Sequence, residues 1–176
     1  ASVSKIQIDP SVGTIFVQTP IVFTGSQDLE IKGHKGAIDG SALEGTETNF
    51  LADGGGDLTI TSLTFQNAPG NGLTVQVPTD AEGTQKIFLR DVAALNNDGH
   101  GIEINDQEDP DDAGNPDVTP QIRGNSNGSA ASVDVTVNDC TFNGNGFGAL
   151  DRDGLRVNEG GLGNLTVSIT RTRADE

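Results

Sequence analysis

Between residues 57 and 159 the apolar positions recur with a period of two and, over longer distances, in three aligned copies. The copies are DLTITSLTFQNAPGNGLTVQV (57–77), KIFLRDVAALNNDGHGIEIND (86–106) and, with an insertion, VDVTVNDCTFNGNG…DGLRVNE (133–159). Ile60, Leu89 and Val137 are equivalent, as are Leu63, Val92 and Cys140, and Phe65, Ala94 and Phe142. After an Asn/Gly-rich bend follow Leu73, Ile102 and Leu155, then Val75, Ile104 and Val157. The alternation in LTVQV, GIEI and GLRV is that of strands with one face turned inward, and no helical apolar stripe exceeds about two turns. Each copy therefore predicts three short strands separated by turns. Partial copies flank them at 28–41 and at 164–176, the latter stopping mid-repeat after its first strand.

A single copy is too short to bury its inward side chains. Stacking equivalent strands in parallel, about 4.8 Å apart, satisfies the backbone and piles like residues into columns. Composition agrees with a narrow interior: hydrophobic residues are 33% and aromatics 4%, with no Trp, Tyr or Met, while Gly reaches 24 of 176 residues. The absence of Met predicts a processed or excised piece of a larger protein. No stretch approaches the roughly 18 apolar residues of a membrane span, so membrane insertion is not expected. Cys140, the one cysteine, falls in a core column and is expected to be inert.

These repeats resemble the right-handed parallel β-helix superfamily, the pectin-lyase-like proteins. The resemblance covers about residues 5–176. It implies an all-β fold, a right-handed single-stranded parallel β-helix (solenoid) of about five to six coils, truncated at the C-terminal end. Residues 1–176 would form a single domain or fragment with a projecting acidic loop at 107–131. An open last coil predicts further coils or end-to-end self-association through Val167 and Ile169.

Charge narrows the partners. Acidic residues number 26 and basic residues 10, a net charge of −16, which repels nucleic acid and favours cations or a basic ligand. The run NDQEDPDDAGNPD concentrates this charge in Asp106, Glu108, Asp109, Asp111, Asp112 and Asp117. Ca²⁺ takes 6–8 hard oxygen ligands, so the run is a candidate Ca²⁺ site; the spacing is not that of an EF-hand, and a solvated loop is the competing reading.

A second candidate is the outward face of the third strand. If Leu73, Ile102 and Leu155 point in, Thr74, Glu103 and Arg156 stack in one outward column, and Gln76, Asn105 and Asn158 in the next. Such a face suits sugar hydroxyls; the competing reading is a solvated face with a Glu103–Arg156 ion pair. Pectin-lyase-like enzymes, as the resemblance implies, use Ca²⁺ with a basic residue or hydrolyse with paired Asp. Candidates for such chemistry are Arg123, Arg152, Arg156, Asp151 and Asp153. His34 and His100 lack a partner at ligand spacing and are expected at the surface or in turns. Asn67, Asn96, Asn97, Asn143 and Asn145 are expected to form stacked amide ladders, and Asp39 and Gly40 to be structural.

The functional expectation is an extracellular or cell-surface module of a larger acidic repeat protein. Its role would be structural or adhesive, with Ca²⁺ and polysaccharide, or a cell-surface partner, as ligands. The rival is a carbohydrate-active enzyme, a Ca²⁺-assisted polysaccharide lyase.

Overall fold

The computed structural model describes residues 3–106, 128–147 and 152–175. Among the described residues the chain forms strands and no helix, and every strand pairing is parallel. None of it is a helix long and apolar enough to cross a membrane.

One sheet holds β1 (Val3–Gln7), β2 (Thr14–Phe16), β4 (Asp28–Asp39), β6 (Leu58–Gln66), β8 (Thr84–Leu95), β10 (Ser132–Asn138), β11 (Thr141–Asn143), β13 (Leu165–Thr170) and β14 (Arg173–Asp175). The second holds β3 (Ile21–Phe23), β5 (Phe50–Asp53), β7 (Leu73–Gln76), β9 (Ile102–Asp106) and β12 (Leu155–Glu159), ordered β12-β9-β7-β5-β3. The repeats pair in register. Leu73 lies beside Ile102, and Ile102 beside Leu155. In the first sheet Leu29, Leu58, Ile87, Val135 and Val167 form one row of partners, and Ile31, Ile60, Leu89, Val137 and Ile169 the next.

The inward rows of both sheets join a single apolar core. Phe50 of β5 meets Phe65 of β6 edge to face, with ring centroids 6.4 Å apart. Alternating burial along β6 and β10 shows the period-two pattern at work: apolar residues in, Thr, Asp and Asn out. Cys140 is 1% exposed, and burial pushes its thiol pKa up, as an inert core residue requires. At one edge the row ends on β13, where Leu165, Val167 and Ile169 are 42%, 41% and 53% exposed.

Three expectations change in detail. The first two strands of a copy are one bent strand in β6 and β8, because Ser62 and Asp91 take a left-handed backbone, φ 52° and 54°, that turns the chain without ending the ladder. At Asp139, φ 55°, the same bend separates β10 from β11. The copy starting at residue 28 continues to β5, which pairs with β7, and β1, β2 and β3 form a further layer before it. The last copy also reaches past its first strand, since β14 pairs with β11.

Candidate functional site

Immediately before β7, β9 and β12 the chain reads Asn71-Gly72, His100-Gly101 and Asp153-Gly154. The glycines are required by close approach. A Cβ on Gly72 would lie 2.6 Å from the Gly101 carbonyl oxygen, and one on Gly101 would lie 2.4 Å from that of Gly154. Backbone bonds tie these rungs together: Gly72 N–H to His100 O at 3.0 Å, and Gly101 N–H to Asp153 O at 2.9 Å. The residues preceding the glycines consequently stack as a column.

In that column each side chain accepts the amide of the next rung. Asn71 Oδ1 accepts from the His100 N–H at 2.7 Å, and His100 Nδ1 accepts from the Asp153 N–H at 2.8 Å. His100 is 0% exposed. With Nδ1 accepting, the neutral ring carries its proton on Nε2. Yet Nε2 is the atom nearest two guanidinium groups, with Arg152 Nη1 at 3.2 Å and Arg156 Nη1 at 3.1 Å. One neutral imidazole has a single lone pair and cannot accept on both sides, so positive N–H groups crowd this spot. The Asp153 carboxylate, mostly exposed, comes within 3.9 Å of Nδ1.

Glu103 stands beside this cluster, 3% exposed, and accepts from Asn71 Nδ2 at 2.8 Å. The same amide reaches Thr74 Oγ1 at 3.1 Å. Thr74, Glu103 and Arg156 are register partners on β7, β9 and β12. The next row is joined by amides: Asn105 Nδ2 donates to Gln76 Oε1 at 2.9 Å, and Asn158 Nδ2 to Asn105 Oδ1 at 3.5 Å. Arg156 Nε also donates to Asn158 Oδ1 at 3.3 Å.

Thr74, Gln76, Glu103, Asn105, Arg156 and Asn158 thus share one face, and Arg152 and Asp153 join it from the segment before β12. Two expectations are corrected. His100 is not a surface histidine: it lies in the bend between β8 and β9 but is buried, and it replaces an amide in the column. His34, by contrast, is exposed with φ 49°. Nor is the face freely solvated, because Glu103 and Asn105 are 3% and 0% exposed. Asn71 and His100 were not singled out as site residues, although each directly precedes the glycine that starts a third strand.

Asp106 is separated from this face. It continues the inward side of Ile102 and Ile104 and is 0% exposed. Glu108, Asp109, Asp111, Asp112, Asp117, Arg123 and Asp151 lie outside the described residues, as does the acidic loop up to residue 127. Among the described residues, no three His, Cys, Asp or Glu side chains gather where they could hold a metal ion.

The Asn-rich bends divide into two roles. Asn97 and Asn145 form a buried amide ladder: Ala68 N–H donates to Asn97 Oδ1 at 3.0 Å, Asn97 Nδ2 to Asn145 Oδ1 at 2.8 Å, and Asn145 Nδ2 to the Ala94 carbonyl at 2.9 Å. Asn67 and Asn96 instead supply left-handed backbone, φ 56° and 54°. Asp39 is structural: it accepts from Gln66 Nε2 at 2.7 Å, Asn67 Nδ2 at 2.8 Å and the Ser41 amide at 2.9 Å. Burial opposes its charge, but these bonds outweigh burial and hold its pKa below the ordinary value. A shallow groove lined by Lys35, Ser62, Asp91 and Asp139 follows the bend of the first sheet, away from His100. Neither a protein-family model, nor a curated protein, nor a solved structure matches this chain, so the cluster around His100 has to be read from its own chemistry.

Proposed function

We propose that the chain is a right-handed single-stranded parallel β-helix of the pectin-lyase-like kind, an extracellular or cell-surface module of a larger acidic protein. On this reading it binds an acidic polysaccharide along the outer face of β7, β9 and β12. The alternation of β6, β7, β8 and β9 between two sheets supports the winding, since parallel neighbours need a crossover and such crossovers are right-handed. Exposed apolar positions on the edge strand β13 support end-to-end association, which concentration-dependent sedimentation would reveal.

The observation that carries the binding reading is the convergence of Arg152 and Arg156 on His100, 3.2 and 3.1 Å from one ring nitrogen. In a protein of net charge −16, a local pair of guanidinium groups is chemically distinctive. Guanidinium matches carboxylate geometry with paired hydrogen bonds. A uronate carboxylate suits the two arginines, and the hydroxyls of neighbouring sugars suit Thr74, Gln76 and Asn158. Because charge acts over about 10 Å at 0.1 M salt, the acidic remainder disfavours densely charged polymers. Widely spaced uronates are therefore the better ligands.

A second reading, a polysaccharide lyase, is favoured by carboxylates at the same spot. On that reading Glu103 or Asp153 takes the proton α to a uronate carboxyl while the glycosidic C–O bond β to it breaks, and the departing oxygen takes a proton from water. Calorimetry with uronate and neutral oligosaccharides tests the first reading. Equal affinity for both, or undiminished uronate binding in an Arg152→Ala/Arg156→Ala double variant, would sink it. Growth of ultraviolet absorbance from unsaturated uronate would mark the protein as a lyase.

A further inference from the structure

We infer that Asp106 and Glu159 anchor a single divalent-cation site, of the Ca²⁺ type, where β9 and β12 end. The two are register partners on adjacent strands, at the inward position that follows Ile104 and Val157. One rung earlier β7 is followed at the equivalent position by Val77, 1% exposed. A hydrophobic position thus becomes two stacked carboxylates, one strand spacing of about 4.8 Å apart.

The independent observation is Asp106 itself. Its side chain is 0% exposed, Oδ1 accepts the Ser129 amide at 2.9 Å, and Oδ2 is buried with no hydrogen-bond partner. The backbone seals the place: a Cβ on Gly128 would lie 2.3 Å from the Asp106 carbonyl oxygen and 2.5 Å from the Gly161 nitrogen. A buried carboxylate oxygen without a donor is strongly unfavourable, and a second carboxylate one strand away makes it worse. A cation between them relieves both.

Glu159 is half-buried, with Oε1 accepting the Gly161 amide at 3.0 Å, which leaves its other oxygen for a metal. Ser129 Oγ already accepts the Ala131 amide at 3.0 Å and offers a second lone pair beside Asp106. An all-oxygen set with no sulfur or imidazole selects a hard cation, and a flexible shell completed by water suits Ca²⁺ better than Mg²⁺. The site is separate from the arginine face and does not depend on polysaccharide binding.

The test is calorimetric titration of the full chain with CaCl₂ and with MgCl₂, alongside melting in chelator and in Ca²⁺. The expected result is one tight Ca²⁺ per chain, a melting rise on adding Ca²⁺, and weaker Mg²⁺ binding. Glu159→Gln should lower Ca²⁺ affinity at least about tenfold, and Asp106→Asn should abolish the tight event. Absence of a tight event would overturn the inference. So would tight binding unchanged in both variants, which would put the ion on other carboxylates. So would an Asp106→Asn chain more stable than the parent even in Ca²⁺, which would show Oδ2 to be a protonated acid rather than a ligand. Uronate binding in Glu159→Gln should equal that of the parent, so failure of one reading leaves the other testable.

Discussion

Two polar columns flank the glycines that begin the third strands, and they are built alike up to a point. In one, Asn97 and Asn145 accept and donate along the stack until each named amide group has a neutral partner. In the other, Asn71 is followed by His100 and then Asp153, and the column draws in Arg152, Arg156 and Glu103. An amide has both a donor and an acceptor end, so amides repeated at strand spacing complete one another. An imidazole accepting at Nδ1 presents N–H at Nε2 and cannot continue the series. The first column is closed on itself; the second gathers charge.

The largest effect should come from breaking both columns at once. A methyl at Gly101 meets the Gly154 carbonyl oxygen at 2.4 Å and the Asn145 amide nitrogen at 2.9 Å. Backbone cannot yield as a side chain can, so Gly101→Ala is expected to cost about 3 kcal/mol or more, measured by urea unfolding or seen as loss of folded protein. Breaking only the amide ladder should cost somewhat less. Asn97→Ala strands the Ala68 amide, at about 1–3 kcal/mol for a buried group left unmatched, while Asn145 Oδ1 keeps the Asn97 backbone N–H at 3.3 Å. A smaller loss, under about 1 kcal/mol, would mean that water enters the space.

Converting one column into the other sharpens the contrast. His100→Asn keeps an acceptor for the Asp153 amide, so stability should change by no more than about 1 kcal/mol, while uronate binding falls as the arginines lose their organiser. If binding survives, the histidine is only a spacer.

A smaller, pH-dependent effect is expected at Asp39. Its pKa in the folded protein is lowered from 3.8, so its contribution is fully present above the unfolded value and is lost as pH falls through the lower folded one. Asp39→Asn should therefore flatten the acid limb of the stability profile below the ordinary carboxylate range and leave its shape near neutrality unchanged. The least effect belongs to Asp139 and Arg171, an exposed pair in which the guanidinium lowers the carboxyl pKa. Removing either is expected to leave the unfolding midpoint unchanged within error.

Much of the architecture was readable in advance because β-strand stacking repeats its own chemistry. Leu73, Ile102 and Leu155 had to share a row once the alternation was seen, and Thr74, Glu103 and Arg156 followed on the other face. The site was only half readable. Arg156 and Glu103 follow from alternation, whereas the burial of His100 does not, because its signal lies in comparing NG, HG and DG across copies rather than in spacing to another ligand. The two roles of the Asn residues were also merged, since a left-handed turn and an amide ladder draw on the same residue type.

By itself, the order of residues along this chain determined the period, the parallel stacking and the identity of the inward rows, because each depends on neighbours at fixed strand spacing. Only the tertiary structure decided that Arg152 and Arg156 meet over a buried imidazole, and that Asp106 is fully buried with one oxygen lacking a donor. Those outcomes depend on how bends of unequal length return the chain to the stack, and on which polar groups the close glycine backbone then shuts away from water. Local pattern carries no record of either.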